Sequence, residues 1–175
     1  GQGFDYFYGL LGGSRYYLPR EKEPYRRMQE NGVLVDETPY VTDTLGDKAV
    51  EFIKSNQGNP FFLYLSFTAV HVPMEPPARY AEQFKAIKDP NRRKLAGMTK
   101  ALDDNVAKVL GALEALGLEK DTVVVFLNDN GGSSKNYANN APLKGYKSSM
   151  YEGGIRVPQI IKWPGVLKPG STFDS

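Results

Sequence analysis

The sequence predicts an α/β fold built on a mostly parallel sheet, and three observations predict it. Two short runs, 61–67 (Phe-Phe-Leu-Tyr-Leu-Ser-Phe) and 122–127 (Thr-Val-Val-Val-Phe-Leu), are apolar on both faces, as central strands covered by helices on each side are. Between them lie roughly fifty residues of mainly helical pattern, enough for a crossover connection that returns the chain parallel to its start. The chain of 175 residues is long enough for one domain with a sizeable core. A composition of 41% hydrophobic and 24% charged residues excludes disorder over most of it.

In chain order, residues 1–40 are rich in Gly, Tyr and Pro and weakly periodic; they read as turns at 9–13 and loop at 18–24, with a short strand at 32–35. Residues 42–56 form a helix, with Thr42 or Thr44 as its cap and Leu45, Ala49, Phe52 and Ile53 on one face. Gly58-Asn59-Pro60 breaks it before the first buried strand. His71-Val72-Pro73 follows that strand, and Pro73, Pro76 and Pro77 hold the next segment extended. A short helix is expected at 78–87. A long one is expected at 91–116, where Leu95, Met98, Leu102, Val106, Leu110 and Leu113 recur at helical spacing and Gly117 caps the end. After the second strand the chain turns through Asn128-Asp129-Asn130-Gly131-Gly132, passes a polar loop at 133–140, and reaches a third short strand at 159–162, closed by Trp163-Pro164-Gly165.

A formal charge of +2 with dispersed Lys and Arg excludes the clustered basic face that nucleic-acid binding needs. The longest apolar runs are far too short to span a bilayer. With no Cys there are no disulfides, thiolate metal sites or Cys nucleophiles within these residues, and a single His leaves one imidazole for acid–base work. The sequence opens on Gly1-Gln2-Gly3-Phe4 without a signal pattern and stops at Phe173-Asp174-Ser175 without a closing element; the expectation is an interior piece of a longer chain, the alternative a processed domain.

Ligands of open parallel sheets bind beyond the carboxyl ends of the strands. The first strand delivers His71 to that edge and the second delivers Asp129 and Asn130. A carboxylate and an amide carbonyl beside two glycines suit a hard cation, although the same residues also make a plain Asn-Gly turn, and two oxygens fall short of the six to eight that calcium takes. His71 either protonates a leaving oxygen or packs against the proline run. Lys147 faces a bound anion if it nears Asp129, and is otherwise a solvated lysine. Asp103 and Asp104 read as structural. The glycines between Glu152 and Arg156 argue against a helical salt bridge, leaving that pair to shape the Lys147 loop. Tyr16 and Tyr17 line a sugar cleft or pack in the core.

Taken together, 61–67 with His71-Val72-Pro73, Asn128-Asp129-Asn130-Gly131-Gly132, Pro142-Leu143-Lys144-Gly145-Tyr146-Lys147 and Tyr151-Glu152-Gly153-Gly154-Ile155-Arg156-Val157-Pro158 closely resemble the type I sulfatases of the alkaline-phosphatase-like superfamily. The opening Gly3-Phe4-Asp5-Tyr6-Phe7-Tyr8-Gly9 resembles the family segment after its Lys-Trp-His motif, and residues 90–102 resemble the arylsulfatase A- and B-like branches, many of which act on sulfated sugars. The resemblance implies part of a three-layer αβα sandwich, with residues 1–175 as a partial catalytic domain that lacks the nucleophile region and the C-terminal subdomain. It implies that Asp129 and Asn130 are two ligands of one calcium ion, that His71 contacts the sulfate and leaving oxygen, and that Lys147 bridges the sulfate and the catalytic residue. Lys144 stands where relatives often have Arg and receives no catalytic role.

The family's Cys/Ser-x-Pro-x-Arg motif, whose first residue becomes formylglycine, is absent here, so the nucleophile is expected upstream and the 175 residues alone are expected to be inactive. The implied substrate is a sulfated glycan or small aryl sulfate, and the implied compartment is periplasmic or extracellular. The alternatives are a phosphate or phosphonate ester hydrolase of the same superfamily and a non-catalytic module. The sequence carries no signal for oligomeric state.

Overall fold

Two helices organise the core, and their sequences show why they meet. The computed structural model of the protein describes residues 3–20, 27–36 and 39–173. Helix α1 (Val41–Asn56) buries Val41, Leu45, Ala49 and Ile53. Helix α3 (Pro90–Ala115) buries a stripe of Gly97, Met98, Ala101, Asn105 and Leu113. Small residues on both faces let the backbones approach closely. An added Cβ at Gly46 would lie 2.2 Å from Asn105 Oδ1. Asn105 is buried, and its Nδ2 donates to Asp43 Oδ1 of α1 and to Ala101 O, both at 2.8 Å. Gly46→Ala is therefore expected to destabilise the protein by about 1–3 kcal/mol through overpacking, read as a lower denaturant midpoint; an unchanged midpoint would show that Asn105 yields freely.

The start of α1 differs from expectation. Tyr40, not Thr42 or Thr44, occupies the cap position, and it makes no side-chain cap bond. Burial of Tyr40 and Val41, together with the Val41 N–H bond to Tyr17 O at 3.0 Å, winds the chain earlier than the threonines suggest. Thr44 Oγ1 then donates back to Tyr40 O at 3.2 Å. Helix α3 lies within one residue of the expected 91–116 at each end and stops at the expected Gly117. Asp89 accepts from the backbone N–H groups of Asn91 (2.8 Å) and Arg92 (3.3 Å) with Pro90 at the first position. At its end, Gly117 N–H bonds to Glu114 O (2.9 Å) and Leu118 N–H to Leu113 O (2.8 Å), the double closure of a Schellman motif. The helix expected at 78–87 is shorter, with α2 (Ala78–Ala81) tightening into one 3₁₀ turn over Glu82–Phe84.

A small antiparallel sheet of β1 (Tyr8–Gly9), β2 (Gln29–Glu30) and β3 (Val33–Leu34) covers one side of α1. Met28 packs there with Val41 and Leu45, against Tyr8, Leu10 and Val35.

The expected central strand at 61–67 is extended but pairs with no strand among the described residues. Leu65 and Phe67 pack on the Met28–Val41–Leu45 cluster, and Phe61 meets Phe52 edge-on at 5.9 Å. Phe62 and Tyr64, pointing the other way, are 73% and 72% exposed. The second run does form a strand, β4 (Val124–Leu127), but its partner β5 (Gln159–Lys162) runs antiparallel, with Val124 opposite Lys162 and Leu127 opposite Gln159. Side chains on this ribbon, Val125, Leu127, Ile160 and Ile161 among them, are exposed. A strand is buried on both faces only when neighbours and helices cover both, and the described residues give 61–67 that cover on one face alone.

Candidate functional site

The chain leaves β4 at Leu127 and turns at once, placing Asp129 exposed and Asn130 half-buried at the strand's carboxyl end. Hydrogen bonds then stitch this turn to the loops that run on towards β5. Gly131 N–H donates to Gly154 O at 3.0 Å. Gly132 N–H donates to Asn140 Oδ1 at 3.1 Å, while Gly132 O accepts from Asn140 Nδ2 at 2.9 Å and from Lys147 N–H at 3.0 Å. Asn140 Nδ2 also reaches Gly145 O at 3.1 Å. The Lys147 loop thus docks directly on the Asp129–Asn130 turn.

Its outer wall is α4 (Glu152–Ile155), which corrects one expectation. Glu152 and Arg156 do form an i,i+4 ion pair at 3.2 Å across Gly153 and Gly154. Gly153 N–H bonds to Lys144 O and Arg156 N–H to Glu152 O, both at 2.8 Å, and both glycines are buried, so tertiary docking overrides their poor helix propensity. The pair itself is exposed and contributes about 0.5 kcal/mol or less. Lys144 lies over the Tyr151 ring, 4.0 Å from its centroid, a packing position.

His71 sits at the end of a turn closed by its own N–H to Thr68 O at 2.9 Å. Its ring is exposed, and Nδ1 lies 2.7 Å from Val72 O. A carbonyl has no proton to give, so Nδ1–H is the donor, and Nε2 is left as the nitrogen that can take or deliver a proton. The turn is held from two sides. Tyr17 Oη–H is shared between Thr68 O (2.5 Å) and His71 O (3.0 Å), and Asn136 Nδ2 donates to Val70 O at 3.1 Å. Asn136 belongs to the loop that continues from Gly132, so a run of hydrogen bonds leads from the His71 turn to Lys147.

The structure therefore docks the Lys147 loop on the Asp129–Asn130 turn and ties the His71 turn, through Asn136, to the loop that follows Gly132. Among the described residues, the side chains of His71, Asp129, Asn130 and Lys147 form no hydrogen bond or ion pair with one another. No cluster of three or more His, Cys, Asp or Glu side chains capable of holding a metal occurs among the described residues. Asp129 and Asn130 suit a hard cation chemically, as two oxygens of a larger set. Asp103 and Asp104 both pair with Lys100, a structural role.

Local sequence does not single out Asn136 or Asn140, and leaves Tyr17 between cleft and core. Tyr17 is 1% exposed, with its ring 5.8 Å from that of Tyr40, so the core reading is the correct one. The only local hint for the two asparagines is their density in a loop, since such side chains hydrogen-bond backbone.

Comparison with known proteins turns this geometry into a family. The sulfatase family model matches residues 1–172. The chain belongs to the sulfatase family. This places it among the type I sulfatases of the alkaline-phosphatase-like superfamily. The sulfatase chain is 41% identical to a sulfatase of Formosa agariphila over 89% of its own length, and 30% identical to mouse (Mus musculus) arylsulfatase J over 97%. It superposes on the crystal structure of Ps i-CgsB in complex with k-i-k-neocarrahexaose with a TM-score of 0.88, at 38% identity and 93% coverage. It spans 30% of the length of each of those two relatives and 40% of that solved chain. Mixed helix and strand content and these neighbours support the alkaline-phosphatase-like fold. No helix among the described residues is long and apolar enough to cross a membrane.

Proposed function

We propose that the protein carrying this chain hydrolyses sulfate esters of carbohydrates or aryl alcohols. In this reading residues 1–175 are part of its catalytic domain, a portion of a three-layer αβα sandwich. His71 and Lys147 contact the sulfate, and Asp129 and Asn130 supply two oxygens to one calcium ion. The observation that carries this is the bond from Lys147 N–H to Gly132 O at 3.0 Å, which docks the loop carrying the exposed Lys147 onto the turn that follows Asp129 and Asn130. A cation-binding turn next to a lysine that pairs with no carboxylate among the described residues is favoured when an anion lies between them.

Calcium, held in part by Asp129 and Asn130, would supply positive charge, and a formylglycine, which these residues do not contain, would supply the nucleophile. This chain's own groups do the rest. The Lys147 ammonium holds a sulfate oxygen as negative charge builds on it. His71, with Nδ1–H committed to Val72 O, presents Nε2 and in its protonated form hands that proton to the departing alcohol oxygen. A carbohydrate substrate is supported by the neocarrahexaose in the related crystal structure, and the carboxylate–amide pair of Asp129 and Asn130 suits calcium better than zinc-type ions.

The test is to assay the complete protein against sulfated oligosaccharides, 4-nitrophenyl sulfate and the matching phosphate esters. Inorganic sulfate release that is lost on chelation and restored by calcium is expected, together with no turnover by the 175 residues alone. Release of phosphate without sulfate would move the chain to phosphate ester chemistry, and no release of either would favour a non-catalytic module.

A further inference from the structure

We propose that Tyr17 and Asn136 are positioning residues that aim His71, forming a two-armed clamp on the turn that presents it. The inference rests on the proposed role of His71. The turn exposes three backbone carbonyls that must be satisfied or solvated. Thr68 O accepts from Tyr17 Oη–H (2.5 Å) and from His71 N–H (2.9 Å); His71 O accepts from the same phenol at 3.0 Å; Val70 O accepts from Asn136 Nδ2 at 3.1 Å. Both arms come from far away in sequence, Tyr17 from 54 residues before His71 and Asn136 from 66 residues after Val70.

Each arm is itself fixed. Tyr17 is 1% exposed and belongs to the core cluster with Tyr40, Tyr80, Met98 and Ala101, against which Ala69 and Val70 of the turn also pack. Its backbone N–H donates to Glu75 Oε2 at 3.0 Å, and the other oxygen of Glu75 pairs with Arg20 at 2.5 Å. Asn136 is 8% exposed, and its Oδ1 accepts from Ala138 N–H at 3.3 Å. Packing alone would be served by a Phe at position 17; the hydroxyl is spent on the two carbonyls that bracket the His71 turn. Burial pushes the phenol well above its ordinary pKa, so the clamp stays neutral and adds no charge beside the imidazole. Asn136 lies in the same loop as Gly132, so this arm ties the His71 turn to the loop that follows the Asp129–Asn130 turn.

A general acid tolerates little misplacement, and a shift of about 1 Å can cost about 100-fold in rate. The test compares Tyr17→Phe, Asn136→Ala, His71→Ala and the double variants in the complete protein, on a sulfated carbohydrate and on 4-nitrophenyl sulfate. Tyr17→Phe is expected to lower kcat on the carbohydrate about 10- to 100-fold with KM little changed. The loss is expected to be smaller on nitrophenyl sulfate, whose leaving group needs no proton. In a His71→Ala background, Tyr17→Phe is expected to add nothing. Asn136→Ala acts on the same turn from the opposite side and repeats the test should Tyr17→Phe fail to fold. Losses that multiply with His71→Ala, or that are equal on both substrates, would overturn the clamp while leaving His71 in place. If His71→Ala itself leaves turnover intact, the assigned role of His71 falls, and the clamp with it.

Discussion

Lys147→Ala is expected to lower kcat of the complete protein about 100- to 1,000-fold while leaving its thermal stability within about 0.5 kcal/mol of the parent. The two halves of that expectation come from different atoms. What joins Lys147 to the rest of the site is its backbone N–H, which donates to Gly132 O at 3.0 Å, and alanine keeps that bond. The side chain is exposed and pairs with no carboxylate among the described residues, so its removal breaks no contact that holds the fold. What is lost is a positive charge on a loop docked on the Asp129–Asn130 turn, the charge that in the proposed mechanism holds a sulfate oxygen. Lys147→Arg separates charge from shape: the planar fork keeps the charge but projects further, so a partial loss is expected. Parallel measurements of kcat and melting temperature decide the matter. A Lys147→Ala enzyme with full turnover would remove Lys147 from the mechanism.

How much of this is legible in the sequence depends on whether the signal is local. The end of helix α3 can be read almost to the residue because Gly117 acts through neighbours a few positions away. Its inward stripe is less legible: Leu102, Val106 and Leu110 fit the helical period but are only half-buried, whereas Asn105, a polar residue, is 1% exposed because it crosses to Asp43 of α1. The expected start of α1 fails for the same reason, since the contact that sets it is made by Tyr17. For 61–67 the alternation and apolar content are legible, but strand pairing belongs to two segments and cannot be read from one.

The site divides in the same way. Asp129, Asn130, His71 and Lys147 stand out as motif members, each with an ordinary turn or surface reading open beside it. That the Lys147 loop docks on the turn after β4 is a tertiary fact, carried by Gly132 O and the Asn140 side chain. The Glu152–Arg156 pair shows the limit of propensity most plainly. Two glycines argue against a helix, and a helix forms because burying them against the neighbouring loop outweighs their backbone entropy.

Gly131→Ala is expected to produce the second large effect, destroying activity and weakening calcium binding through one methyl group. An added Cβ at this position would lie 1.9 Å from Gly153 O, 2.7 Å from Gly153 C and 3.1 Å from Gly154 Cα. All three are backbone atoms, so no side chain can swing aside, and either the Asp129–Asn130 turn or α4 must retreat. Retreat breaks the Gly131 N–H bond to Gly154 O and strains the neighbouring Gly153 N–H bond to Lys144 O, which anchors the Lys147 loop. Asp129 and Asn130, the proposed calcium ligands, and the Lys147 loop would then lose their common frame. Overpacking of this kind costs about 1–3 kcal/mol of stability, and misplacement of reacting groups by about 1 Å costs about 100-fold in rate. Gly111→Ala is the matched control. It adds the same methyl group on exposed α3, where nothing lies within 4 Å, and is expected to raise stability by up to about 1 kcal/mol with activity unchanged. Denaturant midpoints, calcium titration and kcat for the two variants separate a crowded contact from a generic glycine effect. If Gly131→Ala matched Gly111→Ala in all three, the turn and α4 would not abut, and the shared frame of the site would be lost with that contact.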